Sequence, residues 1–211
     1  MTHVFDMDLT KIQIGTDMAE WEKRYPVPGP NSRLALDIVG GWRTGDRKTL
    51  PEEMPKELIA RRSRKSWPDA FTTVNGLHVV SARAKDVIER FDPDLHQFFP
   101  LSLRTKRGDE IEGPWFAMNV TVRQDSIVVE RSNVYVSTRA PDRLCSINSR
   151  SKPEDIVVQS ERLSPDIHFW REARFQGSLL GSDAFVSALK AEGVRFFPSF
   201  RAAELTEALD G

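Results

Sequence analysis

Four histidines, one cysteine and a few adjacent carboxylates are the side chains in this sequence equipped to act as base, nucleophile or metal ligand. His3, His78, His96 and His168 are widely separated, with neither H-E-x-x-H nor the short spacing that puts two imidazoles on one metal. An enzyme built on this chain would therefore have to assemble His78, His96 and His168 in space. Cys145 with a distant histidine meets the formal requirement of a nucleophile and a base. Its context, Arg143-Leu144-Cys145-Ser146-Ile147, reads as a loop or edge strand, and a structural cysteine is expected. The pairs Glu52/Glu53 and Asp109/Glu110 sit in polar turns, where water would keep both members ionised as solvated charges. Neither G-x-G-x-x-G nor G-x-x-x-x-G-K-[ST] occurs, so both phosphate cradles that a sequence can display are missing. No cofactor, metal site or catalytic residue is expected.

Binding chemistry is better represented. Trp21, Trp42, Trp67, Trp115 and Trp170, with twelve Phe, supply the large apolar area that both cores and interfaces use. Phe98, Phe116, Phe169 and Phe197 fall in apolar strand patterns and are expected in the core. Trp21 and Trp42 stand in polar, loop-rich surroundings, and with Arg43 they are the candidates for an exposed partner-binding surface. Residues 61–65 and 104–107 are basic runs, the form a weak nucleic-acid-binding module would take. Residues 43–65 nonetheless mix eight basic with four acidic side chains, the pattern of a solvated face. Thirty Lys and Arg against thirty-one Asp and Glu leave a net charge of −1, which argues against a general polyanion binder.

The elements that must position these residues follow from periodicity. Lys11 to Ile14 and Leu34 to Val39 read as strands, and Met54 to Lys65 as a short surface helix. Phe71 to Val74 and Leu77 to Val80 flank Asn75-Gly76, whose residues accept the positive φ angles of a hairpin turn. Ser81 then caps a helix over 82–91, with Ala84, Val87, Ile88 and Phe91 on one face. His96 to Leu103 and Trp115 to Val122 read as strands, with Ser126 to Glu130 and Asn133 to Ser137 as extensions of the same sheet. Asp155 to Gln159 and Asp166 to Glu172 add further strands, and 139–153 reads as loop. A second copy of the central pattern follows: Ser178 to Gly181, Ser182, a helix from Asp183 to Ala191, and Phe196-Phe197-Pro198 match Leu77 to Val80, Ser81, the 82–91 helix and Phe98-Phe99-Pro100 in order. Gly193 stops the second helix. The tail, Arg201 to Asp210, reads as a final helix.

At 211 residues, with 39% hydrophobic and 29% charged side chains, the chain has the composition of an ordinary globular protein. A lone cysteine needs no oxidising compartment, no window has the apolar length of a membrane span, and the start carries Asp6 and Asp8 where a signal peptide would be basic and then apolar. A cytoplasmic location is expected. The predicted fold is α+β: a mainly antiparallel sheet with two amphipathic helices in related β-α-β units. Residues 1–66 form a loop-rich, variable lead packed on a domain spanning 67–211.

Leu77-His78-Val79-Val80-Ser81, Asp86-Val87-Ile88-Glu89, His96-Gln97-Phe98-Phe99-Pro100 and Trp115-Phe116-Ala117-Met118-Asn119-Val120 together resemble immunity-protein family eleven of the bacterial polymorphic toxin systems. This family was formerly a domain of unknown function. Asp166-Ile167-His168-Phe169-Trp170-Arg171 and Leu179-Leu180-Gly181-Ser182 with the following helix resemble its C-terminal half, so the resemblance covers roughly 67–200. It implies a non-enzymatic protein that binds and silences a cognate toxin domain, usually encoded next to it, in a bacterial cytoplasm. It carries over no set of contact residues.

Overall fold

The computed structural model describes residues 1–5, 13–136, 145–147, 155–174 and 178–205. In chain order the elements are β1 (Thr2–Phe5), β2 (Gln13–Ile14), β3 (Thr16–Asp17), α1 (Ala19–Arg24), α2 (Ser32–Thr44), β4 (Glu57–Ala60), β5 (Ala70–Thr73), β6 (His78–Ser81), α3 (Ala82–Phe91), β7 (Gln97–Arg104), β8 (Trp115–Asn119), β9 (Arg123–Gln124), β10 (Val134–Val136), β11 (Cys145–Ile147), β12 (Val157–Val158), β13 (Phe169–Glu172), β14 (Leu179–Ser182), α4 (Asp183–Ala191), β15 (Ser199–Arg201) and β16 (Ala203–Glu204). The fold is α+β, with mixed and mostly antiparallel sheets.

One sheet runs β2-β5-β6-β8-β7-β4-β3. Its two edge strands are separated in sequence by Gly15 alone, yet Ile14 pairs with Thr73 of β5 and Thr16 with Ala60 of β4. Two residues of chain span at most about 7 Å, whereas the six inter-strand spacings of a flat sheet would need about 29 Å. The sheet therefore curls until its edges meet on the 13–17 segment. Ile14, Leu58, Phe71, Val79, Leu101, Leu103 and Ala117 line one apolar cluster, joined by Trp21, Ala35, Ile38 and Trp42 from α1 and α2. Their strand neighbours Ala70, Val80 and Met118 belong instead to a second cluster, as the two-residue period of a strand requires.

The second sheet runs β15-β1-β14-β13-β9. Phe5, Phe169 and Leu179 turn one face of it into the same second cluster, where α3 and α4 lie with Val87, Ile88, Phe185 and Leu189. Val4, Trp170 and Leu180 turn the other face toward a third cluster with Ile127, Ile156 and Val158. The molecule thus layers a closed sheet, a helical middle and a five-stranded sheet.

The repeated strand, serine cap and helix are reproduced in three dimensions, whereas Phe98-Phe99-Pro100 lies inside β7 and Phe196-Phe197-Pro198 precedes β15. Ser81 and Ser182 both end a strand in extended backbone, and each hydroxyl accepts an N–H in the first turn of its helix, from Ala84 at 3.3 Å and Phe185 at 3.2 Å. Both serine N–H groups donate at 2.8 Å to the residue just before the partner strand, Asp69 or His168. The strand orders β5-β6-β8-β7 and β13-β14-β1-β15 correspond position by position. In each, an antiparallel strand lies between the two strands that the helix connects. In the first half that strand is β8, the next in sequence after β7. In the second it is β1, from the other end of the chain, so segment 1–66 contributes strands to both sheets.

Several local expectations are corrected. Leu34 to Val39 is helical within α2, because Ala35, Ile38 and Trp42 share the three- and four-residue spacing of one buried face. Met54 to Lys65 holds β4 rather than a helix, since Glu57, Leu58 and Ile59 pair with Ser102, Leu103 and Arg104 of β7. Within Ser126 to Glu130 there is one bridge, Ile127 to Val158, followed by a 3-10 turn over Val129–Arg131. The expected tail helix begins instead with β15 and β16, and residues 206–210 lie outside the described residues, as do 11–12 and most of 139–153.

Candidate partner-binding surface

The structure separates the three residues singled out for binding. Trp42 is wholly buried and Trp21 is 7% exposed, with their rings 5.1 Å apart in the core under the closed sheet. The Trp21 indole N–H donates to the Glu53 carbonyl at 2.6 Å. Their polar neighbours in sequence belong to the outer faces of amphipathic helices, which is why a linear reading placed them at the surface. Arg43, next to Trp42 on α2, is exposed. Its stem lies over the Asn75-Gly76 turn, where a Cβ on Gly76 would come within 2.6 Å of Arg43 Cγ and the φ of +84° already favours glycine. Arg43, Gly40 and Leu36 form the outward face of α2, and Leu36 is 61% exposed.

The three histidine rings have different nearest polar partners, although Asp92 lies beside both His96 and His168. His78 is buried against Thr72 Oγ1 at 3.0 Å, and burial, with Arg171 nearby, depresses its pKa well below the usual imidazole value. His96 is buried beside Asp92, with Nε2 3.6 Å from the carboxylate. His168 Nδ1 lies 2.9 Å from the capping hydroxyl of Ser182, and its backbone N–H donates to Asp92 at 2.8 Å. The His78 and His168 rings are thus each tied to a neighbouring hydroxyl, whereas neither ring nitrogen of His96 has a hydrogen-bond partner among the described residues. Among the described residues no group of three His, Cys, Asp or Glu is placed to hold a metal ion. Cys145 falls in β11, and its side chain lies outside the described residues.

Of the adjacent carboxylates, Glu53 is not solvated. It is 9% exposed and takes the Arg47 fork at 2.8 and 2.9 Å together with the Leu50 N–H. Burial pushes its pKa up, and the Arg47 and Leu50 hydrogen bonds more than reverse this, holding it below the usual carboxylate value. Asp109 and Glu110 are exposed, as expected.

Three buried charges had no signal in the sequence because each acquires its meaning from distant chain. Arg171 in β13 donates to the carbonyls of Val120 (2.9 Å), Arg43 (2.8 Å) and Trp42 (2.8 Å). The last two belong to the C-terminal turn of α2, whose aligned carbonyls carry the partial negative charge that a buried cation needs. Burial, reinforced by Arg123, lowers the Arg171 pKa to about 9. Glu172, the next residue, accepts from the Ser126 hydroxyl at 2.6 Å and its N–H at 3.1 Å, and burial raises its pKa to about 7. Asp69 accepts from the Ser81 hydroxyl, Arg83 and the Arg195 N–H, each at 2.8 Å. Burial raises its pKa, but these donors, with the Arg195 N–H foremost, carry it below the usual value.

The two basic runs, forty residues apart in sequence, are brought to one place. β4 and β7 are parallel neighbours with Ile59 opposite Arg104, so the 61–66 loop and the 105–109 turn leave the same end of the closed sheet. No described helix is long and apolar enough to cross a membrane.

Comparison with curated proteins finds no match. The sequence profile of the immunity protein family (Imm11) matches residues 5–206, which takes in every element from β2 to β16 and most of the N-terminal segment as well as the repeated units. The chain belongs to the Imm11 immunity protein family.

Proposed function

We propose that this protein is an immunity protein that binds a cognate toxin domain and neutralises it by covering its surface, with no chemistry of its own. The observation that carries this reading is the family match across residues 5–206. The partner is the toxin of a bacterial polymorphic toxin system, encoded beside this chain and met in the cytoplasm. Inhibition of this kind requires a stable fold, a complementary surface and electrostatic steering rather than a reactive group. The outward face of α2 supports the reading, because Arg43 and the exposed Leu36 combine the Arg-plus-apolar character that interfaces favour. With Trp21 and Trp42 committed to the core, Arg43 is retained as a contact residue.

The test is co-elution of the full chain with the product of the adjacent toxin reading frame on a sizing column. A stoichiometric complex that abolishes the toxin's activity is expected. Separate elution with the toxin still active would overturn the proposal.

A further inference from the structure

Arg62, Arg64 and Lys65 are all exposed in the loop that follows β4, and among the described residues none of them has a carboxylate at salt-bridge distance. Lys106 and Arg107 are equally exposed at the turn that follows β7, and among the described residues they too have no carboxylate at salt-bridge distance. Strand pairing sets the two segments side by side, since Ile59 and Arg104 sit opposite each other across one inter-strand spacing of about 5 Å. The neighbouring cations are already occupied: Arg61 binds Asp17 at 2.7 Å and Arg104 binds Glu57 at 2.8 Å. Arg195 anchors the far end of the loop by donating to the Ser66 hydroxyl and the Trp67 carbonyl. The loop is thereby held at both ends while its free cations face water.

The rim is not uniformly positive. Arg104 has Ile59 as its neighbour on one side and Glu110 on the other. Glu110 and Glu112 therefore lie across β7 from the 61–66 loop, and Asp109 is tied to the Thr105 hydroxyl at 3.2 Å. A positive sector beside a negative one complements a protein surface carrying both signs, whereas the even negative charge of a nucleic-acid backbone would meet the carboxylates unfavourably.

The geometry points to the rim formed by Arg62, Arg64, Lys65, Lys106 and Arg107 as a docking site for an acidic patch on the toxin. This rests on the proposed immunity function and adds the chemistry of the partner's surface. The rim lies at the end of the closed sheet away from Arg43, which sits on the hairpin turn between β5 and β6. Exposed unpaired cations of this kind act mainly on the association rate and its salt dependence.

The experiment measures association of the full chain with the toxin domain encoded beside it, at about 50 mM and about 200 mM salt. Wild type is compared with Arg62→Glu/Arg64→Glu/Lys65→Glu and with Lys106→Glu/Arg107→Glu. A control, Lys48→Glu/Arg162→Glu/Lys190→Glu, makes the same overall charge change as the triple variant at exposed positions elsewhere. The expected result is an association rate reduced about tenfold or more in the triple variant at the lower salt, with a flatter salt dependence and a smaller loss in the control. An unchanged rate, or equal losses in variant and control, would overturn the docking site while leaving the immunity function standing. If wild type forms no complex with the toxin, both readings fall together. Salt-sensitive binding of a short duplex DNA that the triple variant loses would also overturn the proposal, by assigning the rim to nucleic acid.

Discussion

The Arg171 guanidinium donates to the Trp42 carbonyl at 2.8 Å, joining β13 of the five-stranded sheet to the last turn of α2 across 129 positions of sequence. Two further carbonyls, those of Arg43 and Val120, complete its coordination without any carboxylate. Replacing it with Met would leave these groups buried and unpaired, at about 1 kcal/mol or more each. Relief of the buried charge offsets part of that loss. Arg171→Met is expected to lose about 3 kcal/mol of unfolding free energy in urea titration. An unchanged midpoint would show that Arg171 does not hold the two layers together.

Gly45 is the partner of this arrangement. It closes α2 with φ +62°, and a Cβ there would meet the Val120 carbonyl oxygen at 2.1 Å and Arg171 Nε at 2.5 Å. Gly45→Ala should therefore cost more than the roughly 1 kcal/mol of left-handed backbone strain alone. Gly40, inside the same helix, has nothing within 4 Å of its would-be Cβ. Gly40→Ala should stabilise by about 0.5–1 kcal/mol through helix propensity. Thermal unfolding of the pair checks both signs, and equal shifts would contradict the assignment.

Glu172 predicts a distinct pH dependence. Its folded pKa, about 7, lies above the ordinary 4.5, so the folded state holds a proton that the unfolded state releases. The stabilisation this gives is complete below about pH 4.5 and is lost as pH rises through about 7, by at most about 3 kcal/mol. Glu53, Asp69 and Asp183 act in the opposite sense, because their folded pKa values are lowered. Their contribution is present above the ordinary carboxylate range and fades on acidification. The comparison of wild type with Glu172→Gln isolates the first effect: wild type should lose up to about 3 kcal/mol relative to the variant between pH 4 and pH 8, and a constant difference would contradict the burial assigned to Glu172.

Trp42 and Arg43 are adjacent in sequence and opposite in role. Trp42→Ala should cost about 3–5 kcal/mol, the usual loss for a large buried aromatic side chain. Arg43→Glu, changing an exposed side chain, should leave stability within about 0.5 kcal/mol and show its effect on toxin affinity. Denaturant titration and binding of the two variants separate these outcomes. A stable Trp42→Ala chain or an unfolded Arg43→Glu chain would contradict the placement.

The units around Ser81 and Ser182 were legible in the sequence because their signals are local: a capping hydroxyl, an apolar face at helical spacing and an Asn-Gly turn each lie within a dozen residues. Leu34 to Val39 was misread because a short apolar run fits a strand as well as a buried helix face. β1 and β4 were invisible for a different reason. Thr2–Phe5 becomes a central strand only through pairing with β14 and β15, nearly the whole chain away, and Glu57–Ala60 only through β7. The same distance hid Arg171, Glu172 and Asp69, whose partners come from other layers. Trp21 and Trp42 failed as surface candidates because polarity along the chain does not report which side of a helix a residue occupies.

Growth of cells expressing the adjacent toxin reading frame, with and without this chain, tests the central claim most directly. Co-expression should restore growth to the level of cells without toxin, and the Arg171→Met chain, if its fold is lost, should not. Toxicity undiminished by an abundant, folded chain would contradict an immunity function.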